Sequence, residues 1–428
     1  MHTIADGYAV RIFIFSGGER RPLLLRNGIP QFYPTQWVSV VRRPCRVAFR
    51  TIKADLETVM LALKWAQDRG FDLEKRLLDG DYLSDGEITD LVDRCNRRHE
   101  RTGKVLPLCA VGSRTYTVRL TRLREYCDWV AGLTIARLAT DSRPYADLDA
   151  ARKAMAKAFN IRLDVPRERR TLHQREGLSI EVFDRLVVAV RPDAANNPWG
   201  DRVVSIRDAV RARNQAMVLT TALLGLRRGE LLGLKVQDVW MTGTIPRLLI
   251  ARRADDPDDP RPDQPTAKTG DGVVELPSAL SDLLEDYIFN VRAKTPGAKR
   301  HPYIWVGHKP GRNLGQPLAM VSLTALYRRL RENVDGLPPD LSGHVLRHTW
   351  NDRFSQLCDQ SKVPEEKEKL IRNYLMRWTP TSDTAVRYTR RHVRDKANEF
   401  SMRHQGDMLE RAGLDVRGVL QGEKQNSQ

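Results

Sequence analysis

Apolar and polar positions follow two different periods along the chain. Near the N-terminus, Tyr8–Phe15 and Arg21–Arg26 are β-prone and are separated by Gly17-Gly18, which predicts two strands joined by a turn. Elsewhere, apolar residues recur at the spacing of one helix face. This spacing predicts helices over residues 51–69, 84–98, 113–131, 179–191, 202–224, 278–292, 319–333, 342–360 and 365–377.

The two kinds of element are unevenly distributed, and this predicts a fold class. A β-prone stretch from Val236 to Pro277, interrupted by an acidic, proline-rich loop from Asp255 to Pro265, lies among the later helices. We therefore expect a mainly α protein with a small antiparallel β-sheet, in the α+β class.

Composition shifts suggest how the chain is divided. The segment 166–178 is polar and charged and begins with Pro166, which is typical of a linker, although a long surface loop within one domain is the alternative. We interpret the remainder as a β-like extension at 1–35, a helical domain at 36–165, a second domain at 179–410 and a tail at 411–428.

The charge balance narrows the class of partner. Lys and Arg number 71 against 54 Asp and Glu, a net charge of +17. Such an excess favours polyanions, either nucleic acid or an acidic membrane surface. The first 170 residues hold 31 basic and 21 acidic residues, a net of +10, and one predicted helix there presents four arginines as candidate DNA contacts. These are Arg114, Arg119, Arg122 and Arg124.

Other compositional features exclude several classes of protein. No stretch approaches ~18 consecutive apolar residues, so no transmembrane helix is expected. The N-terminus lacks a signal-peptide pattern. Five scattered cysteines predict neither a disulfide framework nor a zinc site, and they favour a reduced cytoplasmic compartment.

Two segments supply basic residues suited to phosphate chemistry. Arg227 follows Gly225 at a helix junction, with Glu230 one turn on, and such a pair can form a rigid phosphate clamp or an ordinary surface ion pair. Lys268 precedes Gly270 and Gly272, which predict a hairpin turn that would place the lysine on a mobile tip. There it could protonate a leaving oxygen or merely solubilise a sheet edge.

A third segment places a histidine and an arginine at the start of a helix. His344 and Arg347 are three residues apart and should share a helix face, with Ser342 as the N-cap. Anions bind readily at such an end, although a terminal histidine often has no role. His348 is expected to point to a different face.

The fourth segment offers a candidate nucleophile. Tyr388 lies beside Arg387, Arg390 and Arg391, whose charges favour a developing phenolate. Upstream, Trp378 can donate one hydrogen bond through its indole nitrogen. A single tyrosine or tryptophan is more often a packing residue.

The order of these residues resembles the tyrosine recombinase (phage-integrase-like) family. The motifs G-L-R-x-x-E-L-x-x-L, K-T-G, H-x-L-R-H-T and R-Y-T are present over about residues 175–405. The resemblance implies a catalytic domain at 179–410 and, less specifically, a core-binding domain at 36–165. It also implies a catalytic set comprising Arg227, Lys268, His344, Arg347, Trp378 and the nucleophile Tyr388, with Glu230 orienting Arg227.

This resemblance implies a reaction and partners. The expected activity is site-specific cleavage and rejoining of double-stranded DNA through a 3′-phosphotyrosyl link, by a homotetramer on paired sites. The need for accessory or companion recombinase proteins is left open. No carboxylate cluster or Walker loop is seen, so no metal or other cofactor is expected. The expected location is the nucleoid of a bacterial cytoplasm, without a membrane partner.

The chain departs from the family pattern at two places, and other functions are compatible with its residues. Arg377 stands where the family has a small glycine, and the spacing from Trp378 to Tyr388 is one residue longer than usual. A type IB topoisomerase-like relaxation activity uses the same residues, and a non-catalytic DNA-binding regulator is a third possibility. A helix within 391–413 could dock on a neighbouring subunit or on its own domain.

Overall fold

A computed structural model of the chain describes residues 7–99, 105–163, 176–200, 203–379, 381–382 and 397–408. The chain forms two compact units, Met1–Leu172 and His173–Gln428, here called unit 1 and unit 2. Helices dominate the described residues of both units, and the strands form small antiparallel sheets. The predicted fold class is confirmed, while the functional names given to the segments remain predictions.

Unit 1 contains a three-stranded sheet, a two-stranded sheet and six α-helices in its described part. Its elements are β1 (Tyr8–Ile14), β2 (Arg20–Arg26), β3 (Ile29–Pro30), α1 (Phe32–Trp37), α2 (Phe49–Asp68), α3 (Leu73–Leu78), α4 (Asp85–Asn96), β4 (Arg97–His99), β5 (Val105–Ala110), α5 (Ser113–Ile135) and α6 (Arg143–Leu163). A π-helical turn, Val38–Arg42, continues α1.

The N-terminal sheet belongs to the core of unit 1. Strands β1 and β2 pair antiparallel from Tyr8 opposite Arg26 to Ile14 opposite Arg20. Leu24 of β2 is 0% exposed and lies in one apolar cluster with Trp37 and Leu56. The packing of Leu24 therefore makes this sheet a cap on the helical core of unit 1.

The strongest helix signals of unit 1 are confirmed. Ser84 accepts from the backbone N–H of Glu87 and the Glu87 carboxylate accepts from the N–H of Ser84, so a capping box opens α4, the helix predicted over 84–98. In α2 the buried residues Leu56, Val59 and Leu63 form the predicted stripe. Helices α1, α3 and α6 and strands β4 and β5 were not predicted.

Unit 2 is built around a small sheet and a set of packed helices. Its elements are α7 (Ile180–Ala189), α8 (Val204–Leu224), α9 (Arg228–Leu232), β6 (Val239–Trp240), β7 (Arg247–Ile250), β8 (Gly272–Glu275), α10 (Ser278–Asp286), α11 (Met320–Asn333), α12 (Gly343–Gln360) and α13 (Glu365–Leu375). A π-helical turn, Tyr287–Arg292, extends α10, and residues 397–408 are helical.

Helices α8 and α12 pack against each other and place the C-terminal end of one near the N-terminal end of the other. Arg372 of α13 donates to two side chains of α12, Asn351 at 2.9 Å and Ser355 at 2.6 Å. Because this guanidinium is fully buried and also pairs with Glu368, it fixes α13 against α12. These bonds hold α13 against α12, and the residues that follow α13 belong to the candidate site.

The helix predicted over 391–413 is present in its described part, residues 397–408. Phe400, Met402 and Met408 are exposed there. Across the described residues, no helix has the length and apolar character needed to cross a membrane.

We predict that Leu24→Ala destabilises unit 1 by about 2–5 kcal/mol, since it removes a fully buried side chain and leaves a cavity. Chemical denaturation of the full chain measures this change. Ile29→Ala on β3 is the matched control: Ile29 is 68% exposed, and the expected change is within about 0.5 kcal/mol. Equal stabilities of the Leu24 variant and the wild type would mean that the sheet folds apart from the core.

Candidate active site

The first candidate residues lie where α8 ends. Gly225 has a φ of 60°, a left-handed conformation that glycine adopts at little cost. The chain turns there and enters α9, with Arg227 at the N-cap position. The carbonyl of Gly225 accepts a hydrogen bond from Nη1 of Arg347 on α12. The turn therefore joins the two segments that carry the predicted arginine pair.

Glu230 is the centre of the cluster. Its side chain is 0% exposed, and its Oε2 accepts the backbone N–H of Arg227 at 2.9 Å while Oε1 lies 3.3 Å from Nη1 of that arginine. Thr269 donates to Oε1 at 2.9 Å. Arg377 donates to Oε2 at 2.9 Å, and Nη1 of Arg347 lies 3.7 Å from the same oxygen. Three arginines thus share one carboxylate.

The electrostatic balance of this cluster is positive. Burial alone would raise the pKa of Glu230, but the guanidinium groups of Arg377 and Arg347, helped by the N–H of Arg227, outweigh burial and hold that pKa below its usual value. Glu230 is therefore an anion at neutral pH. One negative charge does not neutralise three guanidinium groups, so the cluster retains an affinity for a further anion.

Trp378 lies beside the two predicted catalytic arginines. The Cζ atoms of Arg227 and Arg347 are 5.8 and 5.4 Å from the centroid of its ring, within the range of cation–π attraction. Its backbone N–H donates to the carbonyl of Asn373 at 2.8 Å. The half-buried indole is thus held by the end of α13 and limits the orientations of both guanidinium groups.

The start of α12 presents two histidines, contrary to the expectation that His348 points elsewhere. The rings of His344 and His348 are 4.7 Å apart at an angle of 82°, because residues four apart are neighbours on a helix. His344 is exposed, whereas Arg347 is 0% exposed and points into the core of the cluster. Ser342 occupies the N-cap position without a capping side-chain bond.

Lys268 does not lie on a tight hairpin tip, so that prediction is wrong. Strands β7 and β8 do pair antiparallel, but Gly272 already belongs to β8, opposite Ile250, and residues 251–271 form the connection. The connection is anchored by buried polar groups, including Arg261, which donates to the carbonyl of Leu318 at 2.7 Å. Lys268 is exposed on the returning arm, directly before the buried Thr269 that contacts Glu230.

The predicted nucleophile, Tyr388, lies outside the described residues, as do its neighbours Arg387, Arg390 and Arg391. Its role and the effect of the longer spacing from Trp378 stay predictions.

Three of the four arginines proposed as DNA contacts bond within unit 1, and Arg119 and Arg122 are the first two. Arg119 donates to the carbonyls of Cys95 at 2.6 Å and Arg97 at 3.2 Å. Arg122 lies 3.3 Å from the buried carboxylate of Asp55. These bonds fix α5 to the end of α4 and to α2.

The third arginine that bonds within unit 1 is Arg124, and the fourth member of the group is Arg114. Arg124 donates to the side chain of Asn160 on α6. Arg114, in the first turn of α5, is exposed. Within this group Arg114 is the residue best placed to meet a ligand.

Sequence reasoning missed two members of the cluster, Arg377 and Thr269. Arg377 was noted only as a departure from the family pattern, and Thr269 only as a letter of K-T-G. Arg377 has a φ of 56°, and the N–H groups of Arg377 and Trp378 bond back to the carbonyls of Tyr374 and Asn373. This is a Schellman motif, which normally uses glycine at this position. The glycine of the family pattern could have indicated that position 377 has a left-handed backbone at the end of a helix.

Two curated proteins resemble the chain. It is 22% identical over 220 residues to the tyrosine recombinase XerD of Halalkalibacterium halodurans, covering 51% of the chain and 61% of that protein. It is 29% identical over 179 residues to the integrase/recombinase homologue y4rF of Sinorhizobium fredii, covering 40% of the chain and 36% of that protein. Both relatives carry the name of a recombinase, and the chain is similar to each of them over part of its length. It spans about three fifths of the length of the first relative and about a third of the second.

Solved structures with a similar chain course include the XerH site-specific recombinase bound to a palindromic difH substrate, at a TM-score of 0.41 and 11% identity, covering 80% of the chain and 97% of that protein. The Tn1549 transposon integrase in complex with transposon right end DNA aligns at a TM-score of 0.37 and 13% identity, covering 78% and 93%. No family model matches the chain. In the described part of the chain, no group of His, Cys, Asp and Glu side chains could hold a metal ion.

We predict that Glu230→Gln destabilises unit 2 by about 3–5 kcal/mol at neutral pH, because it leaves Arg347 and Arg377 buried without their counter-charge. Denaturation of the full chain measures the change. Glu275→Gln, at an exposed carboxylate 3.9 Å from Arg247, is the control and should change stability by less than about 0.5 kcal/mol.

The same substitution should alter the acid dependence of stability. Since the folded-state pKa of Glu230 is lowered, its ionisation stabilises the wild type above the ordinary carboxyl pKa of ~4.3, and that contribution is lost as pH falls through the lowered value. The stability difference between wild type and Glu230→Gln should therefore shrink on acidification. A difference that stays constant with pH would contradict the buried ion cluster.

Proposed function

We propose that the chain is a site-specific DNA recombinase that cleaves and rejoins strands through a 3′-phosphotyrosyl intermediate. The observation that carries this proposal is the arginine pair. Arg227 and Arg347 come from distant segments, are held by one buried carboxylate, and both lie next to the ring of Trp378. A preorganised pair of guanidinium groups suits the two non-bridging oxygens of a phosphodiester.

In the proposed reaction, the Oη of Tyr388 attacks the scissile phosphorus and the P–O5′ bond breaks, which leaves a 3′-phosphotyrosyl link and a free 5′ hydroxyl. Arg227 and Arg347 stabilise the negative charge that builds up on the phosphoryl oxygens. The proton of Tyr388 passes toward His344, and Lys268 protonates the departing O5′. Attack by a second 5′ hydroxyl then reverses these bond changes and rejoins the strand.

Trp378 and Glu230 complete the assignment of roles. The indole of Trp378 would donate a hydrogen bond to the bound phosphate, and Glu230 orients Arg227 through two contacts. Because the phosphotyrosyl link conserves the energy of the broken bond, rejoining requires no external fuel. The chemistry of this residue set involves neither a metal ion nor another cofactor.

The partners follow from the reaction. We assign double-stranded DNA as the substrate, unit 1 as a DNA-binding unit with Arg114 as a backbone contact, and a homotetramer on paired sites as the active assembly. The excess of basic residues supports binding to backbone phosphates. Such a protein would act at the nucleoid in a bacterial cytoplasm.

We predict that Tyr388→Phe abolishes the covalent protein–DNA adduct on a nicked suicide substrate while retaining DNA binding, because only the attacking oxygen is removed. Denaturing gel electrophoresis detects the adduct and a mobility shift detects binding. Tyr374→Phe is the matched control, since Tyr374 is a nearby tyrosine that is 76% exposed on α13, and it should form the adduct at the wild-type rate. An adduct formed by the Tyr388 variant would refute the assigned nucleophile.

We also predict that Arg227→Ala slows adduct formation by roughly 10²–10³-fold, as expected for one lost charge-stabilising donor. Arg227 suits this test because its side chain is 23% exposed and Glu230 keeps its contacts to Arg347 and Arg377 in the variant. Single-turnover cleavage rates measure the effect, and thermal melting should show a small change in stability. A wild-type rate in the folded variant would remove Arg227 from the site.

A further inference from the structure

We infer that Arg377, the residue at which this chain departs from the family pattern, is a positioning residue for Lys268. Its contacts hold the arm that carries Lys268 beside the Arg227–Arg347 pair. The inference rests on the proposed function, since it assigns Arg377 to the proton-transfer half of that reaction.

The guanidinium of Arg377 binds the centre of the cluster. Nη2 donates to Oε2 of Glu230 at 2.9 Å, and the two side chains are 2% and 0% exposed. The same carboxylate accepts from Thr269, the residue directly after Lys268. Arg377 and Thr269 are therefore bound to opposite oxygens of one buried anion.

The backbone and stem of Arg377 hold the same arm a second time. The carbonyl oxygen of Arg377 accepts the N–H of Gly270 at 3.3 Å. A Cβ on Gly272 would come within 2.7 Å of Cγ and 2.8 Å of Cδ of Arg377, so the stem lies directly on the glycine backbone. The residues that follow Lys268 are thus fixed, while its own side chain is exposed and can reach a ligand.

Arg377 is itself held rigidly at the end of α13. Nη1 donates to the carbonyl of Leu375 at 3.0 Å, and the left-handed backbone closes the Schellman motif. The next residue, Trp378, lies beside both catalytic arginines. A single residue thereby sets the distance between the phosphate-binding arginines and the lysine that protonates the leaving oxygen.

This arrangement predicts a defect that depends on the leaving group. In the normal reaction, the P–O5′ bond breaks and O5′ takes a proton from Lys268. In a substrate with sulfur at the 5′ bridging position, the P–S bond breaks and sulfur departs as a thiolate without a proton, since thiols have a pKa near ~8.5, far below that of an alcohol. A displaced Lys268 should therefore slow only the reaction of the oxygen substrate.

The test compares single-turnover adduct formation on matched suicide substrates with 5′ oxygen or 5′ sulfur. Arg377→Met should react about 10- to 100-fold more slowly than wild type on the oxygen substrate, less than the roughly 10²–10⁴-fold contribution of general acid catalysis, because Lys268 is displaced and not removed. On the sulfur substrate its rate should be within about 3-fold of wild type. Lys268→Ala should show the same recovery with sulfur.

Two further variants keep the test decisive if Arg377→Met does not fold. Arg377→Gly retains the left-handed backbone without strain and removes only the side chain. Thr269→Val removes the direct hydrogen bond between the arm and Glu230. Both variants should form the adduct more slowly than wild type on the oxygen substrate and at a rate close to wild type on the sulfur substrate.

The matched control is Arg372→Met, which removes another buried arginine near the end of the same helix but one bound to Asn351 and Ser355. Any defect in it should be equal on both substrates. The inference would be overturned if the adduct-forming rate of Arg377→Met fell equally on both substrates or did not change on either. It would also be overturned if Arg372→Met recovered its rate on the sulfur substrate as Arg377→Met does. A wild-type protein that forms no adduct on either substrate would instead refute the proposed function.

Discussion

A single buried carboxylate, Glu230, determines the arrangement of the candidate site. Its two oxygens bind α9, α12, the end of α13 and the arm before β8, which are separate in the sequence. A buried anion requires close counter-charges, and buried guanidinium groups require an anion, so each contact depends on the others. The cost of assembling these charges is met during folding, and a phosphate entering the site encounters donors that are already oriented.

The arm before β8 illustrates a second use of buried polar contacts. Residues 251–271 are rich in Asp, Pro and Arg, a composition typical of a solvated loop, yet Asp256 and Asp259 are buried. Lys235 pairs with Asp256 at 2.8 Å, and Arg261 pairs with Asp259 and caps backbone carbonyls. The connection is therefore a fixed part of unit 2. A fixed connection can deliver Lys268 to a defined place, which a mobile tip could not do.

The parts of the structure that were predictable are those encoded by local patterns. Helices with wide apolar stripes or a capping box, such as α2 and α4, were predicted within a few residues, and the association of Arg227 with Glu230 followed from their spacing. Helix α6 was missed because only Met155 and Phe159 of its 21 residues are fully buried, which leaves a narrow stripe. The turn expected at Gly270–Gly272 was wrong because distant partners, Glu230 and Arg377, fix that backbone. Local sequence does not reveal such long-range partners.

The left-handed backbone at Arg377 has an evolutionary consequence. Glycine satisfies that conformation with least strain, whereas the arginine adds an ion pair to a carboxylate that lies far away in the sequence. Replacement of Arg377 by glycine would relax the backbone but remove one of the counter-charges of Glu230. The fitness effect of a change at position 377 therefore depends on the residue at position 230, and the two sites should vary together among close relatives rather than independently.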